Sequence, residues 1–118
     1  MKKEPKVHDI DNFLSDLKNR KQYFIDCINT NSIQAGVMLL HPGEDDTQES
    51  HSIDEVYYIV RGNGFIKIEN KDHKIKPGSI IFIPSKIEHK FHGNNQDLVI
   101  FYIFGGANPN KTFKINKK

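Results

Sequence analysis

Ile10, Phe13, Leu14 and Leu17 recur at the i, i+3, i+4, i+7 spacing of one helical face. The pattern predicts a single short helix, with Asp9 or Asp11 placed to cap its first turn. After it the apolar period falls to two. Strands are predicted at QYFIDCI (22–28), IQAGVMLL (33–40), ESH (49–51), EVYYIVR (55–61), GFIKIEN (64–70), HKIK (73–76), SIIFIP (79–84), HKFH (89–92) and LVIFYIF (98–104). Stretches such as HPGEDD, RGNG, KPG, PSK and GNNQ separate them, and KD before His73 predicts a tight hairpin turn. Many short strands without helices between them mean an all-β sandwich or barrel rather than a βαβ sheet. The expected organisation is a tail and short helix over 1–20, packed on a single β-barrel domain over 21–118.

EVYYIVR, SIIFIP and LVIFYIF are apolar on both faces, which a sheet with one wetted face would not be. One short helix covers only part of that second surface, so a second copy is expected to cover the rest as a homodimer. A chain of 118 residues supports one core. With 17 basic and 15 acidic side chains, charge gives no reason to expect nucleic acid or a membrane surface as partner. No apolar run nears the roughly 20 residues of a membrane span, and no signal-peptide core follows the first lysines, so a cytoplasmic protein is expected. Cys27 is the only cysteine, which excludes an intrachain disulfide. Its apolar neighbours mark it as a small buried filler.

Candidate chemistry concentrates in two places. Glu49 and His51 point to one side of a predicted strand, and Glu55, Tyr57 and Ile59 share a face of the next. His89 and Phe91 share a face of HKFH, from which Lys90 and His92 point away. His41 and His73 fall in predicted loop and turn and are read as solvated. If the Glu55 and His89 faces are interior, the carboxylates lose several kcal/mol of solvation each unless neutralised. Arg61 lies roughly 20 Å along the strand from Glu55 and cannot do it. Lys86 could swing in. A divalent cation neutralises the carboxylates and also gives the imidazoles a role.

The order HPGEDDTQESHSIDEVYYIVRGNG followed by PGSIIFIPSKIEHKFHGN resembles the two motifs of the cupin superfamily. His51 fits the second histidine of the first motif, Glu55 follows after three residues, and Gly62 after six more. Gly78, Pro84 and His89 fit the second motif. The resemblance covers about residues 42–94 and implies a cupin-like jelly-roll β-barrel holding one divalent metal ion per chain, commonly in a dimer. The implied ligands are Glu49, His51, Glu55 and His89. Glu49 stands where cupins usually have a histidine, and Gln48 is the alternative first ligand if a bulge shifts the strand. Lys86 replaces a usual glycine, and the asparagine that often follows the histidine comes one place late, at Asn94.

Two imidazoles with two carboxylates suit Fe2+, Mn2+ or Zn2+, with Ni2+ or Cu2+ as further options. Tyr57, Ile59, Phe82, Phe91 and Tyr102 are the expected pocket walls for a small organic molecule. The reading that follows is a metal-dependent dioxygenase, isomerase or lyase (decarboxylase type), with Glu55 available as a general base. The alternative is a non-catalytic module that binds or senses a small ligand or a metal.

Overall fold

A computed structural model of the chain describes residues 4–18, 22–47 and 52–105. The strand expected at 49–51 lies outside them.

The predicted helix is α1, Ile10–Lys18. Asp9 caps it, its Oδ1 accepting the Asp11 amide at 3.1 Å. Leu14 and Leu17 are buried, and with Ile10 and Phe13 they pack on Val37, Leu39 and Val99. Each fully buried leucine contributes about 1.5–3 kcal/mol of hydrophobic stabilisation, more than a nine-residue helix could gain from propensity.

Eight strands follow: β1 (Phe24–Asn29), β2 (Ile33–Leu40), β3 (Glu55–Arg61), β4 (Gly64–Ile68), β5 (Lys71–Ile75), β6 (Ile80–Ile83), β7 (His89–His92) and β8 (Leu98–Gly105). They form an antiparallel five-stranded sheet, β1-β2-β8-β3-β6, and a three-stranded sheet, β5-β4-β7. The fold is the all-β cupin jelly roll with one short helix that the motif order implies. Its main core lies between the sheets, where Leu40, Tyr57, Ile66, Phe91 and Ile100 are almost fully buried. A second, smaller core sits under α1 on the outer face of β2 and β8.

Turn chemistry sets the registers that place the site. Gly62, the first motif's glycine, has φ +92, and a Cβ there would also run into the Asp97 carbonyl. The β4–β5 turn is shorter and earlier than the sequence predicts. Ile68 pairs with Lys71, so Glu69 and Asn70 make the turn, with Glu69 at φ 56. His73 accordingly lies within β5 instead of in a turn, although it is exposed as expected.

Phe82 also requires correction. Glu55 pairs with Ile83 and Val56 with Phe82, so the pleat turns Phe82 outward with Val56. It is 58% exposed and does not wall the interior. Cys27 sits at a register shift in β1 and is half-buried, its thiol pushed up by burial, as befits an unreactive filler. Among the described residues, no helix is long and apolar enough to cross a membrane.

Candidate metal centre

β3 and β7 belong to different sheets, and their inward faces bring Glu55 and His89 together. His89 Nε2 lies 3.5 Å from Glu55 Oε1, with both side chains almost completely buried. The turn before β7 fixes the imidazole. The Ile87 amide donates to the Pro84 carbonyl at 3.3 Å, and the Ser85 amide donates to Asp54 Oδ1 at 2.9 Å. Asp54 directly precedes Glu55, so this bond ties the start of β3 to the turn that carries His89.

His89 Nδ1 donates to the Ile87 carbonyl at 2.9 Å, which directs Nε2 at Glu55. Nε2 also lies 2.9 Å from the Tyr57 hydroxyl. Phe91 packs edge-on to the Tyr57 ring at 4.9 Å and holds it in place. Burial alone would lower the His89 pKa, but the hydrogen bond with Glu55 and the Ile87 carbonyl outweigh it, so the value is raised.

The same two atoms fit a divalent ion. Donors about 2.1 Å from one ion stand roughly 3.0–3.4 Å apart across right-angled to tetrahedral positions, close to the separation between Glu55 and His89. The backbone carbonyl on the second ring nitrogen is the support that metal-ligating histidines usually have. Glu49, His51 and the alternative Gln48 lie outside the described residues. Among the described residues no group of three or more His, Cys, Asp or Glu side chains converges. Glu55 and His89 are thus the two implied ligands whose meeting is visible.

Beside Glu55 a cleft of about 110 Å³ is walled by Tyr23, Phe24, Met38, Tyr102 and Phe104, with Asp26 and Gln34 at its polar side. Tyr102 donates to Asp26 Oδ1 at 2.5 Å, and Gln34 Nε2 donates to Asp26 Oδ2 at 2.9 Å. Burial, reinforced by Asp26, pushes the Tyr102 phenol well above its ordinary range, so it stays protonated. Gly36 makes the arrangement possible, since a Cβ there would collide with the Tyr102 hydroxyl and the Ile25 carbonyl.

Of the expected pocket walls, Tyr102 lines this cleft, while Tyr57 and Phe91 back His89. Ile59 is fully buried in the core. Lys86 is exposed, at φ 69, and so occupies with strain the backbone conformation that the family's glycine takes freely. Asn94 is buried, donating to the carbonyls of Leu40 at 3.1 Å and Gln96 at 2.8 Å. His92 points away from the centre, its Nε2 2.9 Å from Asp72 Oδ1.

Two carboxylates escaped the sequence reading. Asp46 falls in the HPGEDD stretch that separates two predicted strands, yet it is buried and accepts the Tyr23 hydroxyl at 2.8 Å and the Phe91 amide at 2.9 Å. It docks the loop after β2 against β7. Asp26 had one available signal, a single charge inside the apolar strand FIDCIN.

The Cupin domain family matches residues 36–104, more than half of the chain. An uncharacterized protein of Streptomyces coelicolor is 28% identical over 81 residues, 69% of this chain and 77% of its own length. A 5-nitrosalicylic acid 1,2-dioxygenase of a Bradyrhizobium species is 28% identical over 74 residues, 63% of this chain but 36% of the dioxygenase. In three dimensions, a DMSP lyase of Ruegeria pomeroyi superposes with a TM-score of 0.65 at 20% identity, over 71% of this chain and 46% of the lyase. The chain therefore spans less than half the length of both enzymes. It is a member of the cupin domain family.

Proposed function

We propose that the chain is a metal-dependent enzyme acting on a small organic molecule, with one divalent ion held by Glu55 and His89 together with His51 and Glu49. The observation that carries this reading is the buried approach of Glu55 Oε1 to His89 Nε2 at 3.5 Å, beside an aromatic cleft. A bound ion would polarise an oxygen of the substrate and favour charge building up on it. Iron, manganese and zinc are the ions that suit this donor set best.

The protein's own groups have separate tasks in this reading. Tyr23, Phe24 and Phe104 exclude water from one side of the substrate. Tyr102, held protonated beside Asp26, offers an oriented hydroxyl near the cleft. Tyr57, 2.9 Å from His89 Nε2, keeps the imidazole aimed at Glu55 until a bound ion takes the place of its hydroxyl on that nitrogen. Glu55 lines the cleft, so its carboxylate can take a proton from a molecule bound there. The dioxygenase and lyase relatives support an enzyme over the alternative, a non-catalytic binding or sensing module. With one cysteine and no disulfide partner for it, the setting proposed is the cytoplasm.

Metal analysis of protein purified without added metal tests the proposal. About one equivalent of a transition metal is expected in the native chain and about a tenth or less in His89→Ala and Glu55→Ala. A native chain that stays below a tenth of an equivalent after addition of iron, manganese or zinc would contradict it.

A further inference from the structure

The cleft beside Glu55 runs between two carboxylates. Glu55, on β3, is buried at its floor, and Asp26, on β1, is exposed at its mouth. β2 and β8 lie between those strands, three spacings or roughly 14 Å of backbone, so the carboxylates mark opposite ends of the cleft. Asp26, Gly36 and Tyr102 are in register across β1, β2 and β8. Gly36 has no side chain, so the Tyr102 hydroxyl crosses β2 to Asp26 Oδ1 while Gln34 holds Oδ2. Both oxygens of the carboxylate are thereby fixed against the rings.

Four rings line this cleft. Tyr102 stacks on Phe104 at 13° with 5.8 Å between centroids, and Tyr23 meets Phe24 edge to face at 76° and 5.7 Å. Phe24 is 41% exposed, an apolar ring standing at the mouth beside a carboxylate. Aromatic faces carry negative potential, so rings and carboxylate attract the same sign of charge. Among the described residues no Lys, Arg or His side chain lines the cleft to answer it.

We propose that the mouth of the cleft takes a small organic cation, a methylated ammonium group lodged among these rings and paired with Asp26. The inference rests on the reading of the cleft as the substrate site and names the substrate class: such a head with an oxygen function a few atoms away, toward Glu55. A primary ammonium is strongly hydrated and needs acceptors for three N–H groups, which aromatic walls do not supply. Methyl groups on the nitrogen remove those donors and pack on the rings, while the charge is held by the ring faces. A carboxylate in the same place would be repelled by Asp26. A divalent ion at the floor would repel the cationic head, which keeps it at the mouth. The volume of about 110 Å³ is not far below the roughly 150 Å³ that encloses a benzene, and the open side adds room.

Calorimetric titration of the full chain, stripped of metal by chelator, tests the inference with three probes of one shape. These are choline, its uncharged isostere 3,3-dimethylbutan-1-ol, and the anionic 3,3-dimethylbutanoate. Choline is expected to bind at about 1 mM, and the alcohol and the anion at least ~10-fold more weakly. Asp26→Asn, which keeps an acceptor for Tyr102, should weaken choline about 10-fold and leave the alcohol unchanged. Phe24→Leu should weaken choline about 5-fold, and both sites are exposed, so the native circular dichroism spectrum should persist. An alcohol or anion that binds as tightly as choline overturns the inference, as does choline binding that is unchanged in Asp26→Asn or absent up to about 20 mM. Because the chain is free of metal, a failure of the metal-dependent reading does not decide this result. A chain that takes up its metal yet ignores choline refutes the cation and leaves that reading standing.

Discussion

The Tyr57 hydroxyl and the Nε2 atom of His89 lie 2.9 Å apart inside the barrel, on strands from different sheets. The contact occupies the nitrogen that a metal ion would need. Binding therefore has to displace the hydroxyl, and Tyr57→Phe should tighten the affinity for Zn2+ about 2- to 10-fold, because one hydrogen bond of about 0.5–1.5 kcal/mol no longer has to be broken. The metal-free variant should in turn be less stable by about 1 kcal/mol. Competitive chelator titration and urea unfolding measure the two effects. Unchanged or weaker affinity would show that the hydroxyl does not compete with the ion.

Gly36 is expected to resist replacement. Within a strand, Gly→Ala normally stabilises, because glycine loses more backbone freedom on folding. Here the added Cβ meets the Tyr102 hydroxyl and the Ile25 carbonyl. Gly36→Ala should therefore destabilise by about 1–3 kcal/mol, the range for overpacking. Tyr102→Phe, which loses only the bond to Asp26, should cost about 1 kcal/mol. A melting temperature for Gly36→Ala at or above the native value would rule out the close approach.

Lys86 offers the opposite sign. At φ 69 it holds a left-handed conformation that costs an L-residue about 1–2 kcal/mol. Lys86→Gly removes that strain and restores some backbone freedom to the unfolded chain, for a net gain of up to about 1 kcal/mol. Thermal or urea unfolding reads the difference. Destabilisation would mean that the lysine side chain contributes more than its backbone costs.

One pH dependence follows from the surface. His41 Nδ1 lies 2.7 Å from Asp97 Oδ1, and this hydrogen bond raises the histidine above its ordinary value, against the opposing effect of burial. The folded-state value exceeds the unfolded one. The stabilisation is therefore complete below about pH 6.5 and is lost as pH rises through the folded value. Both side chains are about half exposed, so the contribution should be only a few tenths of a kcal/mol, about 0.3. Histidine NMR titration should place His41 above its ordinary value in the native chain and return it there in Asp97→Asn. An unshifted native His41 would remove the pair.

The strand runs IQAGVMLL and EVYYIVR could be read to the residue, since turn signals bound them and strands are the natural fit for their length. The helix was equally legible from one apolar face and a capping aspartate. Phe82 was not, because SIIFIP is apolar on both sides. Only its pairing with β3 decides which residues face inward. Asp46 and Asp26 were hidden for another reason: their partners lie 45 residues away at Phe91 and 76 away at Tyr102. No local pattern encodes such contacts. The Glu55–His89 meeting was legible because the motif spacing of the family carries the long-range information that periodicity lacks.

The central claim is that His89 Nε2 and Glu55 share one divalent ion. Long-range nitrogen–proton NMR of the histidine rings during Zn2+ titration tests it most directly. The account predicts that the His89 Nε2 resonance shifts and saturates at about one equivalent, while His41, His73 and His92 stay in place until excess metal is present. A His89 Nε2 that does not move, or that moves only in step with the exposed histidines, would contradict it.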